Sequence, residues 1–372
     1  MSYSLVQGQQ FMALDLRRNQ AYLAALERVI TPESIVLDLG AGLGTLGLLA
    51  AQLGAKRVYL VEPEDIINVA KEIARSNGYD NITCLQGKIE EVTLPEPVDV
   101  IISVFTGNFL LQEDLLPSLF YARDKYLKPD GVTIPQGAIM EAVPVSIPDF
   151  YQKNIACWSQ KHLGIDPHAG IATTSMRIYF AQKELGNVQH LSQSVELLKM
   201  DFYSCNDINC DLEITHTITK SSTCHGWIGW FSMQLGEKWL STAPHEPPLH
   251  WSAAFLPLDP PVKFQTQEEV KFKLQRPPYG DWTWQIETDE TSQKHSTFFA
   301  MPLNLKKIKR LSPQYQPKLN QKGLAAQYVL ARADGNTSVA ELSKKLIAEY
   351  PKLFAEPKKA LNFVRNLVIG FS

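Results

Sequence analysis

The run Val36-Leu37-Asp38-Leu39-Gly40-Ala41-Gly42-Leu43-Gly44 constrains this chain more than any other segment. A short apolar strand, Ile35–Leu39, enters a turn with a glycine at every second position, and helix-forming residues follow over 45–53. Glycines are needed in such a turn when a ligand must touch the backbone, because any Cβ would block the approach. Glu62 ends the next apolar run, 20 residues after Gly42. At that spacing a carboxylate reaches the diol of a ribose. The segment therefore predicts a nucleoside-binding strand–turn–helix–strand unit.

The alternation of strand and helix patterns continues to about residue 140. Helical spacing runs over 12–30, 64–77 and 114–127, and strands are expected at 82–85, 98–103 and 131–135. Strands separated by helices imply an α/β, Rossmann-like, doubly wound parallel sheet. Beyond 140 only 149–163 keeps helical spacing. Short alternating runs at 212–219, 227–234, 251–256, 270–274, 282–288 and 297–302 take over, punctuated by proline and glycine. They predict an antiparallel, β-barrel-like domain. The basic, proline-containing stretch 303–319 reads as a linker. Helices return over 321–331, 339–349 and 358–367, with Asp334-Gly335 as a turn. The expected division is 1–138, 139–303, a linker at 304–318, and a small helical domain at 319–372.

Composition narrows the partners. The net charge of −3 and pI near 6.3 give no electrostatic footprint for nucleic acid or an anionic membrane. There is no apolar run of membrane-spanning length and no signal-peptide pattern at the start, so a cytoplasmic protein is expected. Cysteines 84, 157, 205, 210 and 224 form no Cys-x-x-Cys pair, and no metal or disulfide role is expected.

Gly42-x-Gly44-x-x-Gly47 also satisfies the dinucleotide pattern, so a nicotinamide enzyme is the competing reading. The surrounding acids decide between them. Asp38 in the strand, and Glu90-Glu91 shortly after Gly87, suit a cationic sulfonium cofactor with an adenine amine to hold. They do not suit a pyrophosphate.

Residues 36–63, together with Met12-Ala-Leu-Asp15-Leu-Arg-Arg18-Asn-Gln-Ala-Tyr22 ahead of them, resemble the cofactor motif of protein arginine methyltransferases. The resemblance covers about residues 3–302. It implies S-adenosyl-L-methionine (SAM) as cofactor, with Arg18 on its carboxylate, Gly40, Gly42 and Gly44 in the turn after cofactor-site Asp38, and Glu62 on the ribose. It also implies Ile89 and Glu90 at the adenine, and Tyr3 and Met12 on a covering segment. Arg18, with Arg17 beside it, could instead be a solvated helix face.

The same resemblance locates the acceptor site. The family's loop with two glutamates reads here Ser103-Val104-Phe105-Thr106-Gly107-Asn108-Phe109-Leu110-Leu111-Gln112-Glu113. Glu113 is in place, and Val104 replaces the first glutamate. The run from Tyr121 to Gly131 matches closely, which fixes the alignment. A guanidinium is a planar cation with five donors, and two carboxylates clamp it in a fork. With one carboxylate missing, either another acid compensates or the acceptor is a less charged nitrogen such as an amide. Glu113 could alternatively serve only the N-terminus of the following helix. Leu249-His250-Trp251 resembles the family's Thr-His-Trp loop, which implies that His250 pairs with Asp15 and that Trp251 lines the acceptor channel. The expected catalytic residues are Glu113, His250 and Asp15, with Val104, Asn108 and Trp251 around the acceptor. No metal is required.

The last fifth, from Leu319-Asn-x-x-Gly323 through Asp334-Gly335-x-x-Ser338-Val339-x-Glu341-Leu342, resembles the winged-helix peptide-binding domains of ribosomal peptide maturation. Those hold a precursor's leader by strand addition. The alternative is a helical appendage. The combined expectation is a SAM-dependent N-methyltransferase for a side-chain nitrogen of a peptide or protein, asparagine amide or arginine guanidine. The substrate would include ribosomal peptide precursors. A homodimer is expected through an arm near 158–185. Competing readings are a small-molecule guanidine or amine methyltransferase, and a SAM-binding pseudoenzyme that serves as a scaffold.

Overall fold

The computed structural model describes residues 5–181, 184, 185, 188–302 and 304–371, with Lys307 described by its backbone alone. Two compact units divide the chain, Met1–Pro302 and Leu303–Ser372.

The larger unit begins with α1 (Val6–Ala13) and α2 (Leu16–Leu26). One helix over 12–30 was expected. The break falls at Asp15, whose backbone is extended (ψ 93°) and whose side chain accepts from Arg18 N, an N-cap that starts α2 afresh. Then come β1 (Ile35–Leu39), α3 (Thr45–Gln52), β2 (Arg57–Glu62), α4 (Ile67–Ser76), β3 (Ile82–Gln86), β4 (Val98–Ser103), α5 (Leu116–Tyr126) and β5 (Leu127–Ile134). The strands form a parallel sheet in the order β3-β2-β1-β4-β5. β1 is buried at every position, as an interior parallel strand covered on both faces must be. The order reverses between β1 and β4, so the glycine turn leaving β1 opens at the crevice where such sheets bind ligands.

The antiparallel part holds β6 (Gly137–Ser146), α6 (Pro148–Asn154), α7 (Ile171–Thr174), β7 (Tyr179–Ala181), β8 (Gln189–His190), β9 (Val195–Asp201), β10 (Cys210–Thr217), β11 (Ser222–Leu235), β12 (Lys238–Ser241), β13 (Ala253–Phe264), β14 (Glu269–Arg276), β15 (Thr283–Glu287) and β16 (Ser292–Ser296). One sheet runs β7-β13-β11-β6-β8, with β12 on β11 and β9 on β6; the other runs β10-β14-β15-β16. Trp227 of β11 stacks on Phe272 of β14 with ring centroids 4.9 Å apart, which joins the two sheets. The helix expected over 149–163 ends at Asn154. The strand expected at 297–302 is a single 3-10 turn, because the Ser296 side chain accepts from Phe298 N and turns the chain. No helix among the described residues is long and apolar enough to cross a membrane.

The smaller unit contains α8 (Leu305–Leu311), α9 (Gln321–Leu330), α10 (Val339–Glu349) and α11 (Pro357–Phe371). Ala325, Val329, Leu342, Leu346, Phe354, Ala360 and Val364 form its core. A capping box between Ser338 and Glu341 starts α10. The described residues of this unit hold no strand, so the wing of a winged helix, and the sheet edge needed for strand addition, are not found there. The stretch expected as a linker carries α8.

The division also corrects the electrostatic expectation. The larger unit holds 23 basic and 35 acidic residues, net −12, and the smaller 13 and 4, net +9. The overall −3 conceals two strongly charged bodies.

His216 on β10 gives this fold a pH limit. Its Nδ1 bonds the Ser192 hydroxyl at 3.0 Å, and its buried Nε2 has no partner among the described residues. Burial pulls its pKa down from 6.5 to about 4. Above 6.5 the ring is neutral both folded and unfolded. As pH falls toward 4 the unfolded chain takes a proton that the folded one refuses, so stability is lost across that window. The expected loss is up to about 3 kcal/mol. Chemical denaturation at pH 7 and pH 4.5 measures it, and His216→Gln should reduce the difference between the two.

Candidate active site

The turn after β1 is built on Gly40, Gly42 and Gly44, with φ of 68°, 54° and 75°, the left-handed region that disfavours side chains. A Cβ on Gly40 would stand 2.2 Å from the Phe105 ring. Asp38 leaves β1 just before the turn, and its Oδ2 accepts from Gly47 N at 2.7 Å, which ties the strand to the first turn of α3. Burial pushes its carboxyl up to about 7, against that hydrogen bond. Glu62 ends β2 and accepts from Gly42 N at 2.9 Å and Glu64 N at 3.0 Å. Burial raises its pKa as well.

Arg18 is 4% exposed. Its Nε and Nη2 donate to Asn19 Oδ1, and no carboxylate stands within 4 Å of it among the described residues. Burial lowers its pKa, with Asp15 and Asp38 opposing. A guanidinium so placed is ready for an anionic group on a ligand.

Met12, Arg18, Asp38, Gly40, Glu62, Val104 and Glu113 line one cavity of about 600 Å³, with Gln9, Phe105 and Leu115 among its other walls. Seven residues singled out in the sequence thus share one space. The donor set fits SAM. The cavity wall offers a buried cation suited to a carboxylate, acids suited to a sulfonium and a ribose, and a glycine of the turn that leaves room for a nucleoside. Ile89 is buried, and Glu90 accepts from Ser118 Oγ at 2.6 Å; neither forms the cavity wall. Gly42 and Gly44 shape the turn without lining the cavity. Tyr3 lies outside the described residues.

The acceptor loop, 104–115, is bent by three non-glycine residues in the left-handed region: Phe109 (φ 51°), Leu110 (φ 60°) and Asp114 (φ 52°). Such a backbone persists only where its surroundings over-determine it. Here the antiparallel part does so. Trp251 Nε1 donates to Thr106 O at 2.7 Å, and Ser252 N donates to Asn108 Oδ1 at 2.9 Å. Trp282 Nε1 donates to Gln112 Oε1 at 2.8 Å. The Arg276 guanidinium forks onto the Asp114 carboxylate, with Nη1 to Oδ1 at 2.7 Å, and packs over Trp282. Glu113 is held between Gln112 and Asp114, both anchored. Its Cγ would sit 2.8 Å from a Cβ on residue 107, so Gly107 makes room for it.

Neither Asn108, which is on the loop and is held by Ser252, nor Trp251, which anchors it, forms the cavity wall. His250 does pair with Asp15. Asp15 Oδ2 accepts from His250 N at 2.8 Å and lies 2.9 Å from His250 Nδ1. Burial works to raise the Asp15 pKa, but these bonds and the one from Arg18 N hold it below the usual carboxylate range. Burial lowers the His250 pKa against the pull of Asp15. Sequence reasoning missed Gln9, Phe105, Gln112, Asp114, Arg276 and Trp282. Arg276 pairs with a residue 162 positions away, and no local pattern marks it.

Fold and cavity together define a nucleoside-dependent transferase of the SAM class. Residues 30–164 match a family described as a methyltransferase domain, and residues 136–287 match the arginine methyltransferase oligomerization subdomain. The chain is 31% identical over 270 residues to protein arginine N-methyltransferase 1 of Oryza sativa subsp. indica, covering 69% of this chain and 68% of that protein. It is 30% identical over 289 residues to protein arginine N-methyltransferase 2 of Homo sapiens, covering 70% of this chain and 66% of that one. It thus spans about two thirds of these relatives' length. Among solved structures, a Trypanosoma brucei PRMT1 enzyme–prozyme heterotetramer with AdoHcy is similar at a TM-score of 0.72 and 26% identity, covering 80% of this chain and 99% of that one. Arabidopsis thaliana protein arginine methyltransferase 10, at 0.67 and 23%, shares the fold.

The chain belongs to the protein arginine N-methyltransferase family, and its cofactor is S-adenosyl-L-methionine. Arg18→Ala should weaken S-adenosylhomocysteine binding about tenfold or more, the loss of one charge-assisted contact. Isothermal titration reads this. Unchanged affinity would remove Arg18 from the cofactor site.

Proposed function

We propose that this enzyme methylates a side-chain nitrogen of a peptide or protein, and that its acceptor carries less positive charge than a free guanidinium. An asparagine amide fits best. The observation that carries this is that Val104 and Glu113 line the same cavity. One carboxylate neutralises one fork of a guanidinium and leaves the other facing an apolar side chain. A buried cation left half-paired is costly, whereas a neutral amide asks for one acceptor.

When bound, SAM supplies an electrophilic methyl group on its sulfonium. Arg18 would hold its carboxylate end, and Glu62 the ribose diol. Glu113 accepts a hydrogen bond from the acceptor N–H, which shifts electron density toward the nitrogen. Glu113 would be placed to take the proton that the acceptor nitrogen loses on methylation. The anchored loop fixes that geometry, so proximity and orientation carry most of the catalysis. His250, held by Asp15, supports the loop through its neighbour Trp251.

A ribosomal precursor peptide as substrate rests on the sequence resemblance of residues 319–342 alone, since the described residues of the C-terminal unit hold no strand for leader addition. A homodimer is supported by the oligomerization-subdomain match and by the exposed Trp158, Leu163 and Ile165 on the segment before β7.

Val104→Glu tests the acceptor reading. On matched peptides bearing arginine or asparagine, the variant should raise kcat/KM for arginine about tenfold or more relative to asparagine, the worth of a restored charge-assisted fork. An unchanged ratio would show that Val104 does not select the acceptor.

A further inference from the structure

Arg18 is a buried cation whose side-chain hydrogen bonds go to a neutral group. Its Nε donates to Asn19 Oδ1 at 3.0 Å, and its Nη2 donates to the same oxygen at 2.8 Å. The other end of that amide, Asn19 Nδ2, donates to Ala13 O at 2.8 Å. One end of the amide meets only donors and the other only an acceptor, so its orientation is fixed. Successive residues on a helix do not face each other. Asn19 meets Arg18 with its amide held from the far side by Ala13, the last residue of α1. Met12 and Ala13 line the same cavity as Arg18. One half-buried side chain thus touches both the cavity's basic residue and the end of the helix that forms part of its wall.

The chemistry of the pair follows from the guanidinium's five N–H donors. Asn19 takes one from Nε and one from Nη2, which make up one edge of the planar group. The opposite edge is formed by Nη1 and the second hydrogen of Nη2, and no described residue accepts from Nη1. Two donors side by side match the two oxygens of a carboxylate. The neutrality of position 19 matters as much as its geometry. An amide satisfies two N–H groups of a buried cation and leaves its charge uncancelled. An aspartate there would form a salt bridge with Arg18, compete with a ligand's carboxylate, and set a second acceptor against the Ala13 carbonyl. An alanine would leave Nε and part of Nη2 without a partner and free the guanidinium to turn.

We propose that Asn19 is a positioning residue for the cofactor. It acts through Arg18, holding the guanidinium by its Nε–Nη2 edge so that the Nη1–Nη2 edge takes the carboxylate of SAM, and it ties that grip to the end of α1. This rests on Arg18 as the carboxylate-binding group, and the experiment separates the two.

Isothermal titration of the full chain reads this without turnover. Two ligands are compared: S-adenosylhomocysteine, and methylthioadenosine, which has the nucleoside and no carboxylate. Asn19→Asp should weaken S-adenosylhomocysteine about tenfold or more and leave methylthioadenosine within about twofold. Asn19→Ala should weaken S-adenosylhomocysteine by a smaller factor, about threefold to tenfold, again sparing methylthioadenosine. In an Arg18→Ala background, Asn19→Ala should cost nothing further, because Asn19 acts through the arginine. Wild-type affinity in both Asn19 variants, with Arg18→Ala weakened, would overturn the proposal and leave Arg18 on the carboxylate. Wild-type affinity in Arg18→Ala would overturn both. Equal weakening of the two ligands would make Asn19 a support of the fold and overturn the proposal, as would full additivity of the two alanine changes.

Discussion

One carboxylate organises the larger unit. Asp15 accepts from Arg18 N, from His250 N and from the His250 ring. The first bond starts α2 and sets the phase that turns Arg18 toward the cavity. The other two fix a loop 235 residues further along the chain. Trp251 follows His250 and reaches the acceptor loop at Thr106. Because Asp15 is ionised and His250 is held neutral by burial, the ring proton belongs on Nδ1, facing the carboxylate. A single N-cap therefore couples the cofactor end of the cavity to the acceptor end.

The two ends differ in how they are made. The cofactor end is local: a strand, a glycine turn, a helix and an acid at the end of the next strand, all within 30 residues. The acceptor end is assembled from two sheets. Its loop holds three left-handed, non-glycine residues, a conformation costing of order 1–3 kcal/mol each. The Arg276–Asp114 fork and the Trp282–Gln112 and Trp251–Thr106 bonds offset it. A change at Val104 alters the wall of that cavity without touching the anchors, so acceptor chemistry can shift while the scaffold stays.

This difference explains what could be read in the sequence. The parallel sheet, its order of elements and the residues of the glycine turn follow from local periodicity and from what a nucleoside needs of a backbone. The break at Asp15 was hidden because residues on both sides keep helical spacing, and only the cap distinguishes them. Arg276 and Trp282 were hidden because their partners are remote and their own neighbourhoods, a strand end and a tryptophan-rich strand, look structural. Asn108 and Trp251 were placed at the right loops, yet Asn108 is tied to Ser252 and Trp251 to Thr106, and neither lines the cavity. The charge of the smaller unit was invisible in the whole-chain sum and emerges only when the chain is divided.

The central claim is that a SAM site of the arginine methyltransferase type serves a nitrogen acceptor matched to one carboxylate. Fragment-ion mapping of peptides methylated by the wild-type chain, supplied with SAM and a mixture offering asparagine, glutamine, lysine and arginine, tests it most directly. The account predicts the methyl increment on a side-chain amide nitrogen. Increments confined to arginine would contradict it.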